Sequence, residues 1–352
     1  MPTVGISLLT LVPGVVGGSE TYARELVRAL SRVGELDYLV YLPTIAPDAA
    51  GPLSSKTVTG YPASRTMPGR VRAMAQAAVA PGRLRRELEL DLLGAVHFPL
   101  SVMLPTVTRP PAATTILDLQ HEFLPEFFSK PELLYRRIAY RATARKSRRV
   151  ITISEHARET LVERMGLDPE RVHAIHFGVD HERFFPEPGD RGDFLLYPAN
   201  RWPHKNHERL FEAVAELDRR LVLTGAGHEG KPAPPNVEVR GRVPIHELVE
   251  LYRTAAALVF PSLYEGFGQP PLEAMACGCP VAVSDVGPLR EVCGDAAVYF
   301  DPTDAEAIGA GVREALARAG ELAVKGPERA ALFTWDDCAR RHDEVYLALV
   351  ED

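Results

Sequence analysis

The 352-residue sequence lacks several features that define well-known protein classes. It has no apolar run of about 18 residues, so we expect no membrane-spanning helix. The opening segment, MPTVGISLLTLVPG, has no basic n-region and is expected to form a first strand, not a signal peptide. No G-x-G-x-x-G follows this strand with an acidic residue about 20 positions on, which argues against an NAD enzyme.

Cysteine is scarce, and the spacing of the four cysteines does not suit a metal site. Cys277 and Cys279 are too close together for a usual zinc knuckle, and no histidine follows at zinc-finger spacing. With Cys293 and Cys338 they are interpreted as buried thiols in a reducing compartment, so we expect a cytoplasmic protein. No Asp-x-Asp motif lies at a strand end, and neither a metal nor a cofactor is expected.

The net charge of −7 hides an asymmetry between the two halves. Residues 1–180 carry 22 Lys and Arg against 18 Asp and Glu, whereas residues 181–352 carry 18 against 29. A basic first half and an acidic second half indicate two different surfaces. No RNA- or DNA-binding motif is visible, so no nucleic-acid partner is expected.

What the sequence does have is a strand–helix rhythm. An apolar strand over 3–9, a glycine turn, a helix capped by Ser19 and a strand over 38–42 form one βαβ unit. The alternation restarts after a linker over 178–190 that is rich in Pro, Gly and charge. We therefore predict an α/β fold with two doubly wound parallel sheets, in domains over residues 1–180 and 181–333.

Two segments of the first half, 71–90 and 131–148, are predicted to be arginine-rich helices, whereas residues 43–70 are expected to be irregular. The second helix has seven Lys and Arg residues on its other faces and an apolar side formed by Leu134, Ile138 and Ala142. Its basic faces are either solvated or a surface for anionic lipid or an anionic acceptor.

The stretch 258–302 contains the strongest candidate site. Glu265 lies on a loop that leaves a predicted strand, and Glu273 lies in the first turns of the following helix. Glycines at 266 and 268 let a ligand approach the backbone, and the start of a helix presents N–H groups. Because ligands of open α/β sheets bind outside the carboxyl ends of the strands, this stretch predicts a site for a phosphorylated polyol.

Two cations are predicted to lie at the same edge. Arg201 and Lys205 follow the first strand of the second half, and the loop at 225–227 follows a later strand. A planar guanidinium and a point charge suit a diphosphate. On their own they are more simply explained as solvated charges, but with Glu265 and Glu273 in the same domain they predict a nucleotide-sugar site.

The first half offers two further places for a ligand. The turn at Gly17 and Gly18 is either a plain tight turn or an anion site at a helix N-terminus. A polar cluster over 118–122 follows the strand predicted at 114–117, at its carboxyl end.

The motif P-S-x-x-E-G-F-G-x-P-x-L-E-A-M-A-C-G-x-P-V at 261–281 resembles the signature of glycosyltransferase family 4. The segments 199–210 and 117–128 are similar to bacterial mannosyl- and rhamnosyltransferase-type members, and the resemblance covers essentially the whole chain. It implies the GT-B fold, in which two Rossmann-like domains face each other across a cleft. The last helix, within 334–352, would cross back to the N-terminal domain, although its pattern also fits a terminal helix of the second domain.

The resemblance implies a retaining transfer of a hexose, mannose-like or rhamnose-like, from a nucleotide-diphosphate sugar to a saccharide or lipid-linked acceptor, without metal. Glu265 would contact donor-sugar hydroxyls and Glu273 the ribose, while Arg201 and Lys205 would neutralise the leaving diphosphate. The remaining positions assigned to donor binding are Gly17, Gly18, Gly225, Arg242, Val243, Gly266, Phe267 and Gly268.

One position departs from the family pattern. Members often have a histidine directly before an acidic residue after the N-domain strand, whereas here Leu117 precedes Asp118 and His121 lies three residues on. Either Asp118 or, in a shifted register, His121 is expected beside the sugar.

Two rival functions remain. A sugar-nucleotide epimerase would isomerise the donor without an acceptor, and a non-catalytic subunit of a polysaccharide assembly complex would be expected to have lost Glu265, Lys205 or Arg201, which are all present. Peripheral contact with the inner face of a membrane, through the basic helices, is a further expectation.

Overall fold

The computed structural model describes residues 2–14, 17–79 and 81–351. They form two compact units, one made of Met1–Gly178 with Trp335–Asp352 and the other of Val179–Thr334. The chain thus leaves the first unit within the segment predicted as a linker and returns to it for the last helix.

The first unit is organised around a sheet of seven parallel strands in the order β3-β2-β1-β4-β5-β6-β7. The strands are β1 (Thr3–Ser7), β2 (Asp37–Pro43), β3 (Ser55–Val58), β4 (Ala95–Phe98), β5 (Ala112–Thr115), β6 (Arg149–Thr152) and β7 (Val172–Ala174). The central strands are buried along their length, as parallel strands covered by helices on both faces must be. The strand order reverses between β1 and β4, and the loops that leave these strands flank the usual ligand crevice.

Six helices of the first unit connect these strands. They are α1 (Gly18–Val33), α2 (Met67–Val79), α3 (Pro81–Glu87), α4 (Gln120–Phe123), α5 (Lys130–Lys146) and α6 (Glu155–Met165). The helix α6 is capped by Ser154, whose Oγ accepts from the Ala157 N–H at 3.1 Å. The cap predicted for α1 is wrong, because the helix already begins at Gly18 and its N-cap is Gly17, with no side-chain cap.

Two strand predictions in the first half need correction. The region 43–70 is not wholly irregular, since β3 pairs with β2 from Val40–Ser55 to Pro43–Val58. It is an edge strand held by its backbone, and only Val58 is buried, so it leaves no apolar pattern to detect. The strand predicted at 114–117 is β5, which runs two residues earlier and buries Thr114 and Thr115.

The helix α5 is attached to the core by its last turns. Its buried residues are Thr143 and Ala144, and Thr143 Oγ1 accepts from the Met103 N–H at 3.1 Å. Leu134 and Ile138, on the apolar side of the helix, are 60% and 61% exposed. That side therefore does not face the core.

The second unit contains six parallel strands in the order β10-β9-β8-β11-β12-β13. The strands are β8 (Phe194–Pro198), β9 (Arg220–Thr224), β10 (Val237–Gly241), β11 (Ala257–Phe260), β12 (Val281–Ser284) and β13 (Val298–Phe300). The helices are α7 (His207–Ala215), α8 (Ile245–Thr254), α9 (Gln269–Ala276), α10 (Gly287–Cys293), α11 (Ala305–Ala317) and α12 (Ala319–Ala330). This sheet has the doubly wound order, and its switch point lies between β8 and β11.

The last helix, α13 (Trp335–Glu351), packs against α1 in the first unit. Its His342 Nε2 lies 2.8 Å from the Tyr22 hydroxyl, and the Tyr346 hydroxyl lies 2.7 Å from His97 Nδ1, all fully buried. Burial lowers the pKa of both histidines, so the contact is made by neutral rings. The prediction that this helix returns to the first domain is confirmed.

Two other expectations concern the cysteines and membrane-spanning helices. All four cysteines are free and buried, as predicted. Among the helices of the described ranges, none has the length and apolar character needed to cross a bilayer.

Candidate active site

The loops after β8, β9 and β11 bring most of the predicted donor-site residues to the carboxyl edge of the second sheet. Arg201 and Lys205 follow β8, Gly225 follows β9, and Glu265 follows β11. Since β9, β8 and β11 are neighbours in the sheet, these loops are also neighbours. The edge lies at the switch point, where open α/β sheets bind their ligands.

Lys205 and Glu265 form an ion pair at the centre of this edge. Lys205 Nζ lies 2.5 Å from Glu265 Oε1, and the two side chains are only 13% and 12% exposed. The ammonium also lies 5.0 Å from the centroid of the Phe260 ring. The pair is therefore shielded from water but still accessible, so a ligand that reached Lys205 would also meet Glu265.

Asn206, which sequence reasoning missed, fixes the loop that presents Lys205. It has a φ of 59°, a left-handed conformation that Asn tolerates better than most residues. Its Nδ2 donates to the carbonyls of Pro261 (3.1 Å) and Pro302 (2.7 Å), which ties the loops after three strands together. The Tyr197 hydroxyl donates to the Lys205 carbonyl at 2.6 Å. The backbone behind the lysine is thus held from several sides.

Arg201 forms an ion pair with Glu208, another residue that the sequence did not suggest. One guanidinium nitrogen lies 2.6 Å from Oε1 of Glu208, in the first turn of α7. Arg201 is 12% exposed, whereas Glu208 is 76% exposed. A well-solvated carboxylate is weakly held, so Glu208 is a partner that an incoming anion can replace.

The glycine loop after β9 packs against the loop after β8. Gly225 has a φ of 117°, and a Cβ there would lie 2.6 Å from the Ala199 carbonyl group. Next to it, Asn200 Oδ1 accepts from the Ala226 N–H at 2.7 Å. Glycine is therefore required at 225 by the close approach of two backbones.

The turn before α9 has the geometry that its glycines predict. Gly268 has a φ of 118°, and a Cβ there would meet a Leu289 methyl at 2.5 Å. The Phe267 ring is buried edge-on against Phe333, with centroids 6.0 Å apart, so only its backbone is placed to face a ligand.

The start of α9 offers an anion fewer donors than its position predicts. Pro270 and Pro271 occupy its second and third positions and carry no N–H. An anion at this edge would therefore depend more on side chains than on the N–H groups of the helix start.

Glu273 occupies a different environment from Glu265. Glu273 is a half-buried residue, and its Oε2 accepts from the Tyr252 hydroxyl at 3.0 Å. Burial raises the pKa of Glu273 to about 7. The group is thus poised between its neutral and ionised forms near neutral pH, and hydroxyl donors would favour the ionised form.

The other predicted donor contact lies in the turn after β10. There Arg242 is exposed and Val243 is partly exposed. The Glu229 carboxylate, from the loop after β9, accepts from the Gly227 N–H at 3.0 Å. Hydrogen bonds from backbone N–H groups, first its own and then that of Gly227, lower its pKa, and the nearby charge of Arg242 adds a smaller effect.

A carboxylate from the first turn of α1 reaches back to the segment that precedes the glycine turn of the first unit. Glu20 Oε2 accepts from the Gly14 N–H at 2.7 Å, and Oε1 lies 2.9 Å from Arg24 Nε. Gly17 has a φ of 53°, a positive value that glycine adopts more readily than other residues. A Cβ at Gly18 would meet no described atom within 4 Å.

Asp118 and His121 are placed very differently on the loop after β5. Asp118 is partly exposed, and its Oδ1 accepts from the Gln120 N–H at 2.9 Å. His121 is fully buried, edge-on to Tyr140 with centroids 5.1 Å apart. Within the described ranges neither of its ring nitrogens has a hydrogen-bond partner. Burial lowers its pKa to about 4, so His121 is neutral and Asp118 is the accessible group.

Fold and site together define a class of protein. Two Rossmann-like sheets, one with paired cations and carboxylates at its switch point, are typical of enzymes that bind a phosphorylated ligand at that edge. Within the described ranges, no cluster of three or more His, Cys, Asp or Glu residues is arranged to hold a metal ion.

Comparison with known proteins identifies the family. The profile described as "Glycosyl transferases group 1" matches residues 179–330, and that described as "Glycosyltransferase Family 4" matches residues 16–183. Among curated proteins, O-antigen chain mannosyltransferase B of Escherichia coli is 29% identical over 269 residues, which covers 68% of this chain and 70% of that protein.

Solved structures show the same fold. Sucrose-phosphate synthase of Thermosynechococcus elongatus superposes with a TM-score of 0.78 at 19% identity, covering 99% of each chain. Anabaena HepE, solved in complex with UDP-glucose, gives 0.71 at 16% identity, covering 99% of this chain and all of that one. The chain belongs to glycosyltransferase family 4, with the GT-B fold, and is a hexosyltransferase.

Proposed function

We propose that this protein transfers a hexose, mannose-like or rhamnose-like, from a nucleotide-diphosphate sugar to a saccharide or lipid-linked acceptor, with retention and without metal. The observation that carries this proposal is the shielded Lys205–Glu265 pair, with Nζ and Oε1 2.5 Å apart, at the switch point of the second sheet. A lysine touching a carboxylate suits a ligand whose phosphate and sugar hydroxyls are adjacent.

The diphosphate is assigned to Lys205 and Arg201. Lys205 Nζ carries three hydrogens and donates one of them to Glu265, so it can also donate to a phosphate oxygen. Arg201 offers a planar fork once its exposed partner Glu208 is displaced. These two fixed positive charges would stabilise the negative charge that develops on the leaving group.

The two carboxylates are assigned to the two ends of the donor. Glu265, held by Lys205, would accept hydrogen bonds from the transferred sugar. Glu273 would accept from the ribose, and these bonds would favour its ionised form. The exposed turn at Arg242 and Val243 would pack against the base.

The proposed transfer needs no nucleophile from the protein. The bond between the anomeric carbon and the diphosphate oxygen breaks, and the diphosphate leaves with the electron pair. The acceptor hydroxyl attacks the same face of the short-lived oxocarbenium-like ion, and its proton passes to the departing phosphate oxygen. Lys205 and Arg201 would act only through charge, worth on the order of 3 kcal/mol for each well-placed donor.

The relatives support the choice of donor and sugar. HepE was solved with UDP-glucose, and the Escherichia coli relative is a mannosyltransferase of the O-antigen chain. We place the reaction in a reducing compartment, the cytoplasm, because all four cysteines are free thiols.

A donor screen tests the proposal. Thermal shift and calorimetry with GDP, UDP, TDP and ADP, in the presence of a chelator, should show strong stabilisation by one nucleoside diphosphate. The matching nucleotide sugars would then be incubated with candidate acceptors, and the anomeric configuration of the product read by NMR. Failure of all four diphosphates to stabilise the protein, or a product of inverted configuration, would contradict the proposal.

The same assays separate the two rivals. An epimerase would convert the donor to an isomer when no acceptor is present. A non-catalytic subunit would show no turnover with any donor, whereas the presence of Arg201, Lys205 and Glu265 in one edge favours an active enzyme.

A further inference from the structure

Trp202 is an exposed aromatic residue on the loop that carries Arg201 and Lys205. Its side chain is 46% exposed, whereas Trp335, the other tryptophan of the chain, is 5% exposed. Single exposed aromatic side chains are common on protein surfaces and by themselves indicate no ligand. The position of Trp202 between the two cations assigned to the diphosphate makes its surroundings informative.

The backbone at Trp202 is fixed by its neighbours. Its N–H donates to the Asn200 carbonyl at 2.7 Å, and its carbonyl accepts from the Lys205 N–H at 3.0 Å. The next residue is Pro203, which disfavours the helical conformation in the residue before it, and Trp202 is extended with φ −94° and ψ 148°. A loop fixed in this way loses little conformational freedom when a ligand binds.

The two cations of the loop lie over other rings. Arg201 lies 5.6 Å from the centroid of the Phe211 ring, and Lys205 lies 5.0 Å from that of Phe260. The ring that packs beside the indole is that of His204, with centroids 5.7 Å apart and planes inclined by 34°. Burial lowers the pKa of His204 to about 3, so this neighbour is uncharged at neutral pH.

Two other exposed aromatic rings do have a cation over them. Arg164 lies 5.1 Å from the Phe123 centroid, and Arg253 lies 4.3 Å from the Phe185 centroid. Among the residues that the structure describes, no cation lies over the ring of Trp202 in this way. Because a cation over an aromatic ring occupies its negative face, the indole keeps a face that a ligand can contact.

We propose that Trp202 binds a pyranose ring of a saccharide acceptor by stacking. One face of a pyranose presents C–H bonds with a partial positive charge, which the negative face of an indole attracts. This proposal rests on the proposed transfer reaction, and it narrows the acceptor to one that carries a pyranose.

The acceptor is the substrate that fits this position. The diphosphate, the transferred sugar, the ribose and the base of the donor already have assigned partners in the second unit. The acceptor hydroxyl must reach the bond between sugar and phosphate at Lys205 and Glu265, and Lys205 lies three residues after Trp202 on the same loop. A pyranose of the acceptor that stacks on the indole would thus be held beside the reacting bond.

Fluorine NMR of the full chain, labelled with fluorinated tryptophan, tests the contact without any transfer. The chain has two tryptophans, so two resonances are expected, and Trp202→Phe assigns them. The protein is titrated with the methyl glycosides of mannose, rhamnose, galactose and N-acetylglucosamine, with and without the nucleoside diphosphate from the donor screen. At least one glycoside should shift the Trp202 resonance and leave that of the buried Trp335 in place.

Steady-state kinetics measure how much the stacking contributes. Trp202→Ala should raise the KM for the acceptor about ten-fold, and Trp202→Phe about three-fold, because a smaller ring retains part of the stacking. The affinity for the donor should stay within about two-fold of the wild type, since the indole contacts only the acceptor. The matched control is Phe185→Ala, which removes a ring that is 39% exposed on the same unit and should behave like the wild type.

The outcomes distinguish this proposal from the proposed function. Absence of transfer with every donor and acceptor would contradict the proposed function, whereas the fluorine resonances would still report saccharide binding. An unchanged KM for the acceptor in Trp202→Ala, a loss of donor affinity in its place, or a Trp202 resonance that none of the glycosides shifts would overturn the stacking and leave the transfer reaction untouched.

Discussion

The carboxyl edges of the two sheets have the same topology, but their side chains differ in burial and in charge. At the second edge, Lys205 and Glu265 are paired and remain accessible, and Arg201 is held by the solvated Glu208. At the first edge, His121 is buried and neutral. The second edge has ion pairs that a ligand could replace, whereas the histidine at the first edge is buried.

The common fold therefore does not decide which edge would hold the proposed diphosphate. The first six strands of each unit, counted along the chain, have the same order in their sheet. The loops make the difference: in the part of the chain that the structure describes, those of the second edge place Lys205 beside Glu265 and Arg201 beside Glu208, carboxylates that a phosphate can replace. The predictions below test this contrast, beginning with the largest effect.

Lys205→Ala should lower kcat about 100-fold or more at saturating donor, because a fixed charge on the leaving diphosphate is lost. The fold should be retained, although the unfolding temperature should fall because Glu265 loses its partner in the shielded pair. The control is Lys325→Ala, which removes a lysine paired with Asp295 at 3.0 Å on the surface of the same unit. Near-normal turnover in the Lys205 variant would remove the basis for placing the diphosphate here.

Asp118→Asn should lower kcat/KM about ten-fold, whereas His121→Leu should leave it nearly unchanged at neutral pH. Asp118 is the accessible group, and in the part of the chain that the structure describes His121 makes no hydrogen bond that a leucine would lose. Steady-state kinetics of both variants would check this. A folded His121→Leu protein without turnover would show that the histidine belongs to the site.

The same histidine substitution has a second readout in stability. The pKa of His121 is about 4 when folded, below its ordinary value, so the unfolded chain binds more protons between these values. The free energy of unfolding should therefore fall as the pH drops from about 6.5 to about 4, by up to about 1.4 kcal/mol per pH unit for this group. In His121→Leu this part of the acid sensitivity should be absent, as measured by denaturant unfolding.

Donor affinity should rise about ten-fold between about pH 6 and pH 8, because Glu273, with a pKa of about 7, must be ionised to accept from the ribose. The ligand should be an intact nucleotide sugar, whose diphosphate does not titrate in this range. Calorimetry on Glu273→Gln should give a flat profile. A wild-type affinity independent of pH, or a slope that survives in the variant, would contradict this role.

Glu208→Gln should bind the nucleoside diphosphate about three-fold more tightly, since the carboxylate competes with phosphate for Arg201. Glu212→Gln is the matched control. It removes one charge from the same helix, where Glu212 pairs with Arg209 at 3.1 Å. Weaker binding after Glu208→Gln would mean that Glu208 positions Arg201 instead of masking it.

The sequence predicted the second unit better than the first, for a physical reason. Most of its strands are short apolar runs, and β11 is followed by a proline- and glycine-containing turn before α9, so these elements leave a signal. In the first unit, β3 is held by backbone pairing with one buried side chain, and α5 is anchored by Thr143 and Ala144. Small or polar contacts of this kind give no hydrophobic period to recognise.

The site was predictable as a set of residues but not as a set of contacts. The strand–loop pattern of the second half placed Lys205 and Glu265 at one edge, and no pattern indicated that they would touch. Glu208 and Asn206 were missed because their roles come from the geometry of a single turn. The state of His121 also could not be read from its position, since burial is set by Tyr140 and other distant parts of the chain.

The most direct test of the contrast between the two edges is hydrogen exchange with and without the diphosphate selected by the donor screen, in the presence of a chelator. We predict that the ligand slows exchange in residues 199–206, 225–227 and 261–273 and leaves residues 116–128 unchanged. Protection confined to 116–128, or no protection in the second unit at saturating ligand, would contradict the assignment of the diphosphate to Arg201 and Lys205.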